Sequence, residues 1–335
     1  RGATFRNIME FPTLFPGTVI FKLEENFRST QPILNLANQI IEAAPEKYSK
    51  RLFTRQLDGP LPALVEAPGE HAQSRFVAQR ILELHEEGVA LGEIAVLFRS
   101  SFHAFDLEIE LSRRGLPFTK RGGVRFVETA HVKDLLAHLR VLQNPRDAVS
   151  WQRLLLLIEG IGPRKAQDLV RGLFENPSPT AAFSKATGRS AQGLKNLAQV
   201  LEALSVADSN RTPAEQVTEI YEYYLPILKE QYDDYPKRIR DLEHLASMAD
   251  RYASLGDFLA DLALEPPEVG AGEAEGREDR LIISTVHSAK GLEWQALFVI
   301  WAVDGRFPSV YSFAKPEEIE EERRLFYVAV TRAKK

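Results

Sequence analysis

The sequence predicts an α/β fold in which a parallel sheet is interrupted by an all-helical insertion, and three observations carry that prediction. Strand-like and helix-like apolar patterns alternate over the first third of the chain; strand patterns vanish from about Val132 to Leu264; strand-like runs then return near the C-terminus. With 335 residues, 44% of them hydrophobic, the chain can bury cores for two such units.

Val19-Ile20-Phe21 predicts a strand, followed by Thr30 as an N-cap and a helical stripe of Ile33, Leu34, Ala37, Ile40 and Ile41. Ala63 to Val65 predicts a second short strand. Next comes a helix with Phe76, Val77, Ile81 and Leu84 on one face, ending at Gly88, then the strand Ile94-Ala95-Val96-Leu97-Phe98. A helix from about Ala104 to Arg114 stops at Gly115. Within the helical stretch, Thr212-Pro213-Ala214-Glu215 forms a capping box with proline at the first helical position, opening a helix through Val217, Ile220 and Tyr221. Ser254 caps the helix that carries Phe258 and Leu262. Pro266-Pro267 and the Gly/Glu-rich run Val269 to Glu278 cannot build a core and predict a flexible linker. Leu281-Ile282-Ile283 and Leu297-Phe298-Val299-Ile300 predict buried strands that return the chain to its first unit. An insertion held by two connections is free to pivot.

Composition narrows the function classes. The chain has no cysteine, and its seven histidines show no ligand spacing, so neither disulfides nor a zinc site is expected. No apolar run approaches the roughly 20 residues that span a bilayer, and Arg1-Gly2-Ala3-Thr4 does not open a signal peptide. A soluble, cytoplasmic protein without a membrane partner is expected, and the ends read as those of a piece of something longer. The net charge of -5 excludes a uniformly basic coat. Basic residues Arg113, Arg114, Lys120, Arg121 and Arg125 nevertheless share one stretch, and Glu317, Glu318, Glu320, Glu321 and Glu322 another; such runs are most often solvated faces.

Four polar segments interrupt the apolar patterns. Leu23-Glu24-Glu25-Asn26-Phe27-Arg28-Ser29-Thr30 lies between a predicted strand and a helix, where ligands sit on α/β sheets; Phe27 could stack on a base while Arg28 reaches phosphate oxygens. Ser284 to Trp294 follows a buried strand and offers Thr285, His287, Ser288 and Lys290 to a polyanion, with Glu293 able to accept from a ribose hydroxyl. Glu321 to Ala333 is a helix whose end presents Arg332, in position to act as an arginine finger. Gly160-Ile161-Gly162-Pro163-Arg164-Lys165 lies between two helices, and its glycines let a backbone approach phosphate closely, as in a helix-hairpin-helix on duplex DNA. Taken singly, each segment also fits a capping, salt-bridging or turn role.

Together, and in this order around a helical insertion, the segments resemble those of superfamily 1 helicases of the UvrD/Rep/PcrA type. Arg1-Gly2-Ala3 looks like the tail of motif III, Leu23 to Thr30 like motif IV and Ala95 to Arg99 like motif IVa. Thr285 to Pro308 is similar to motif V and Arg332-Ala333 to motif VI. The resemblance implies a RecA-like 2A motor domain formed by residues 1–122 and 277–335. A helical 2B insertion spans 123–268, with a linker at 269–276. It implies that Arg28 and Arg332 face the γ-phosphate of ATP held with Mg²⁺ in the full-length enzyme, and that Phe27, Gly291 and Glu293 bind the nucleotide. Arg1, Arg99, Thr285 and His287 would lie along single-stranded DNA, and Gly160, Gly162, Arg164 and Lys165 would grip the duplex junction. It further implies 3′ to 5′ movement and a 1A/1B half in the same polypeptide. Motif IV here has Glu25 and Phe27 where the family commonly has Gln and Tyr, Asp304 replaces a usual Glu, and the insertion is short. No Gly-Lys dipeptide and no Asp-Glu pair occurs, so the phosphate-binding loop and the magnesium-binding motif are not in these residues, and ATP hydrolysis by them alone is not expected. Helicase-nuclease subunits of the RecB/AddA type share these motifs, and a non-catalytic DNA-binding module is the reading from another class.

Overall fold

The computed structural model describes residues 5–45, 50–122, 125–176, 178–205, 211–264 and 279–335. Four parallel strands form its sheet: β1 (Ile94–Phe98), β2 (Phe118–Arg121), β3 (Leu281–Thr285) and β4 (Ala296–Val299), in the order β2-β3-β1-β4. β3, which follows the helical insertion in sequence, slots between β1 and β2, which precede it. The register sets Phe98 opposite Thr285 and Leu97 opposite Val299.

All five residues of β1 are buried because both faces of the sheet are covered. Ile94, Val96 and Phe98 share a core with Val77, Ile81, Leu107 and Leu111 from α3 (Glu70–Glu86) and α4 (Phe105–Arg113). The alternate residues Ala95 and Leu97 point the other way, into a core with Trp294, Phe307, Leu325 and Ala329, the last two on α13 (Pro316–Val330). Near the N-terminus lie α1 (Phe5–Leu14) and α2 (Gln31–Glu42), and Ile33 and Ala37 of α2 pack against Val330 and Ala333.

Between β2 and β3 every described regular element is helical: α5 (Ala130–Gln143), α6 (Ala148–Leu156), α7 (Pro163–Glu175), α8 (Pro179–Phe183), α9 (Ser190–Ser205), α10 (Pro213–Gln231), α11 (Tyr235–Ala249) and α12 (Leu255–Leu262), besides a short 3-10 turn at Phe126–Glu128. α5 is shared by two cores. Its Leu135 and Leu139 join Ile220, Tyr224, Leu245 and Phe258, whereas Ala137 and Val141 join Trp151, Leu155, Val170 and Leu197. The expected capping box is complete: the Thr212 hydroxyl accepts from Glu215 N–H and the Glu215 carboxylate accepts from Thr212 N–H. Ser254 caps α12 through Asp257 N–H.

Several expectations fail at the margins. Val19–Phe21 and Ala63–Val65 form no strand, and Val19, Phe21 and Leu64 are exposed, because apolar alternation makes a strand only where a neighbour completes the hydrogen bonds. The nearest pairing is a single bridge between Glu25 and Phe53. Phe76 is exposed rather than part of the α3 core face. Thr30 occupies the N-cap position of α2, yet its hydroxyl makes no cap bond. β4 is only partly buried because it is an edge strand. Conversely, β2 was not expected: Phe118-Thr119-Lys120-Arg121 is mostly polar and pairs because β3 offers it an edge. Arg1 and the linker at 269–276 lie outside the described residues.

Candidate functional site

Two groups of side chains gather at opposite ends of the sheet. At the N-terminal end, the segments around Arg28, Glu293 and Arg332 are stitched together by main-chain bonds. Ser29 Oγ donates to Ala333 O at 2.6 Å and Thr30 N to Lys334 O at 3.2 Å. Trp294 N donates to Arg332 O at 3.0 Å and Lys334 N returns a bond to Trp294 O at 2.8 Å. Asn26 Oδ1 accepts from the N–H groups of both Arg28 and Ser29 at 2.8 Å, which fixes the turn that launches Arg28.

Both guanidinium groups thereby meet Thr331. Arg28 Nη1 donates to Thr331 O at 3.2 Å and Arg332 Nη2 to Thr331 Oγ1 at 3.3 Å. Arg28 forms an ion pair with Glu293, whose other carboxylate oxygen is 3.5 Å from Lys334 Nζ. The Glu293 carboxyl is held below its ordinary range chiefly by the Arg28 hydrogen bond. Burial, then the positive charge of Arg28, lowers the Arg332 pKa. That second cause is itself a sign of convergence: three cations, Arg28, Arg332 and Lys334, gather near two carboxylates, Glu293 and Glu93, which leaves one positive charge to spare for an anion. Phe27, the residue before Arg28, is 78% exposed, and Gly291 adopts φ +91, a conformation that favours glycine. Lys334 also lies 3.5 Å from Glu93, just before β1, which places the cluster at the strands' N-terminal ends. The expectation that Arg28 would sit beyond the end of a preceding strand is therefore corrected.

Arg99, Thr285 and His287 sit at the opposite, C-terminal ends of β1 and β3. Arg99 is less free than expected: Nε and Nη2 both engage Glu322, at 2.8 Å, and Glu322 is buried. Thr285 Oγ1 donates to Ser288 Oγ at 3.0 Å and accepts from Ser288 N–H at 3.3 Å, so it shapes its own turn. His287 is exposed, and partial desolvation followed by the charge of Arg99 lowers its pKa. The acidic run is not simply solvated. Glu318, Glu320 and Glu321 pair with Lys315, Arg323 and Arg324, and Glu322 serves Arg99. In the basic run, Arg113, Arg114, Lys120 and Arg125 are likewise matched to Asp261, Glu110, Glu108 and Glu128.

Gly160 to Lys165 form the hairpin between α6 and α7 that the sequence predicts. Gly160 has φ +81, and open space surrounds Gly162 at the α7 N-cap. Arg164 is exposed; Lys165 Nζ bonds Ser190 Oγ at 2.5 Å. Sequence reasoning missed Lys334 and Glu322. The position of Lys334 two residues beyond Arg332 was a usable signal, whereas nothing in a run of five glutamates marks the buried one. Among the described residues, no group of three or more His, Asp or Glu side chains could hold a metal ion, and no helix is long and apolar enough to cross a membrane.

The described residues thus combine a parallel α/β body and a helical insertion with cations converging at one end of the sheet and polar side chains at the other. The chain belongs to the UvrD-like helicase C-terminal domain family, which matches residues 21–335. It is 33% identical to DNA helicase II of Escherichia coli over 99% of this chain and 49% of that protein. It is 34% identical to the ATP-dependent DNA helicase UvrD1 of Mycobacterium tuberculosis over 100% of this chain and 47% of that protein. For the ATP-dependent DNA helicase PcrA of Bacillus subtilis the identity is 30%, over 99% of this chain and 48% of that protein. The chain thus spans about half the length of the curated relatives it matches.

Proposed function

We propose that this chain is the arginine-bearing portion of an ATP-dependent DNA helicase or translocase that moves 3′ to 5′. The convergence of Arg28 and Arg332 on Thr331, with Glu293 pairing Arg28 and Lys334, carries the reading. Residues 1–122 and 277–335 act as the 2A motor domain, 123–268 as the 2B insertion and 269–276 as the linker between them. Arg28 and Arg332 neutralise charge on the γ-phosphate, Phe27 packs on the adenine, and Glu293 with Gly291 borders the ribose and phosphates. Glu293 holds Arg28 in place until a more strongly charged phosphate draws it away. A P-loop and the Mg²⁺ ligands belong to the 1A half, since the sequence has no Gly-Lys dipeptide and no Asp-Glu pair. Arg99, Thr285 and His287 contact single-stranded DNA, and Gly160, Gly162, Arg164 and Lys165 meet duplex phosphates.

In the full-length protein, Arg332→Ala should lower DNA-stimulated ATP turnover by about 10³-fold or more while changing affinity for single-stranded DNA less than about threefold. A parallel loss of both would overturn the finger role. The chain alone should show no DNA-stimulated ATP hydrolysis.

A further inference from the structure

Trp301 is the only non-glycine residue with positive φ among those described, at 57°. That conformation is disfavoured for a bulky side chain and persists where surrounding contacts impose it, most often at ligand sites. Here two bonds impose it: Trp301 N–H donates to Gln73 Oε1 at 2.9 Å and the indole Nε1–H to His103 O at 3.0 Å. The indole is thus held in one orientation before any ligand arrives.

Its position is informative. Trp301 lies two residues past β4, and the order β2-β3-β1-β4 aligns His287 after β3, Arg99 after β1 and Trp301 after β4 along one edge. Neighbouring strands lie about 4.8 Å apart, so Trp301 extends the row by a step comparable with one nucleotide of an extended strand. The Arg306 guanidinium, on an exposed residue, lies 5.1 Å from the ring centroid. The buried His103 ring is 5.8 Å away on the protein side, and burial together with Arg306 holds it neutral, with its pKa pushed down to about 3, so it adds no charge beneath the indole. An indole whose overlying arginine can exchange onto the phosphate as a base stacks suits a nucleotide of any sequence.

We propose that Trp301, assisted by Arg306, is a stacking platform for a base of single-stranded DNA, continuing the contacts of Arg99 and His287. This rests on the DNA reading above. Of the three tryptophans, Trp151 and Trp294 are buried, so Trp301 is the fluorophore placed to report contact.

Titrating the chain with oligothymidylate should quench its tryptophan fluorescence. Trp301→Gly, which removes the ring and suits the backbone conformation, should fold with an unchanged or higher Tm. It should bind labelled oligothymidylate about tenfold more weakly, with the same salt slope because phosphate contacts remain. Trp301→Phe should recover most of that affinity. Binding by the unaltered chain without quenching, or undiminished binding by Trp301→Gly, overturns the platform and leaves the DNA reading intact. Failure of the unaltered chain to bind at low salt overturns both. Loss of affinity in His287→Ala with quenching retained at saturation supports both.

Discussion

Arg99 shows how a single side chain can serve two demands. Its guanidinium engages the buried Glu322 with Nε and Nη2, and the same carboxylate accepts from Ser309 N–H at 3.2 Å. Lysine carries the charge but offers a point where arginine offers a fork, so it cannot meet both Glu322 oxygens in this geometry. Arg99→Lys should therefore destabilise the chain by roughly 1–3 kcal/mol, read by urea unfolding. An unchanged midpoint would mean that the pair contributes nothing and that Arg99 is free for other work.

At the scale of elements, α5 is the spine of the helical unit, and one of its buried residues makes that unit sensitive to acid. His138 is buried between the Tyr223 and Tyr224 rings, its Nδ1 2.8 Å from Asp134 O. Burial lowers its pKa from 6.5 to about 4. The folded chain therefore keeps the ring neutral while the unfolded chain takes up a proton near the ordinary value. His138 gives its full stability above the unfolded pKa and loses it as pH falls toward the folded one. Linkage sets this loss at roughly 2 kcal/mol between about pH 7 and about pH 5. His138→Gln should remove that much of the wild-type decline in unfolding free energy; an identical pH profile would contradict the assignment. One turn earlier on the same face of α5, Asp134 accepts from Tyr224 Oη at 2.6 Å and Arg153 Nε at 2.6 Å.

At the scale of the molecule, α13 joins the two ends of the sheet. Glu322 midway along it holds Arg99 at the strands' C-terminal ends, and Arg332 just past its finish meets Thr331 beside Arg28. Ten residues of helix span about 15 Å, close to the roughly 16 Å length of a five-residue strand. The seam between sheet unit and insertion is also charged: Arg251, just past α11, pairs with buried Asp106 of α4 at 2.5 Å, beside a cavity of about 360 Å³ that both help to line. Arg251→Met should cost about 3 kcal/mol because Asp106 is left buried without its cation, and Asp106→Asn in the same chain should recover most of it. Strict additivity of the two substitutions in urea unfolding would show that the seam does not depend on this pair.

The residues by themselves determined the elements whose apolar period matches a continuous buried face: β1, the α3 and α4 layer, the helical character of the insertion, and the caps at Thr212 and Ser254. These are readable because neighbouring positions in the chain carry the signal. Pairing is not local, so sequence reasoning placed strands at Val19–Phe21 and Ala63–Val65, where no neighbour completes them, and overlooked polar β2 beside β3. The candidate site divides in the same way. Arg28, Glu293 and Arg332 could be named from motif order, but Arg28 meets Thr331 across 303 residues of chain, and only the folded arrangement brings them to one spot. Tertiary structure alone also decided which charges are spoken for, turning one glutamate of an acidic run into the partner of Arg99, because burial and hydrogen-bond geometry depend on what the rest of the chain brings alongside.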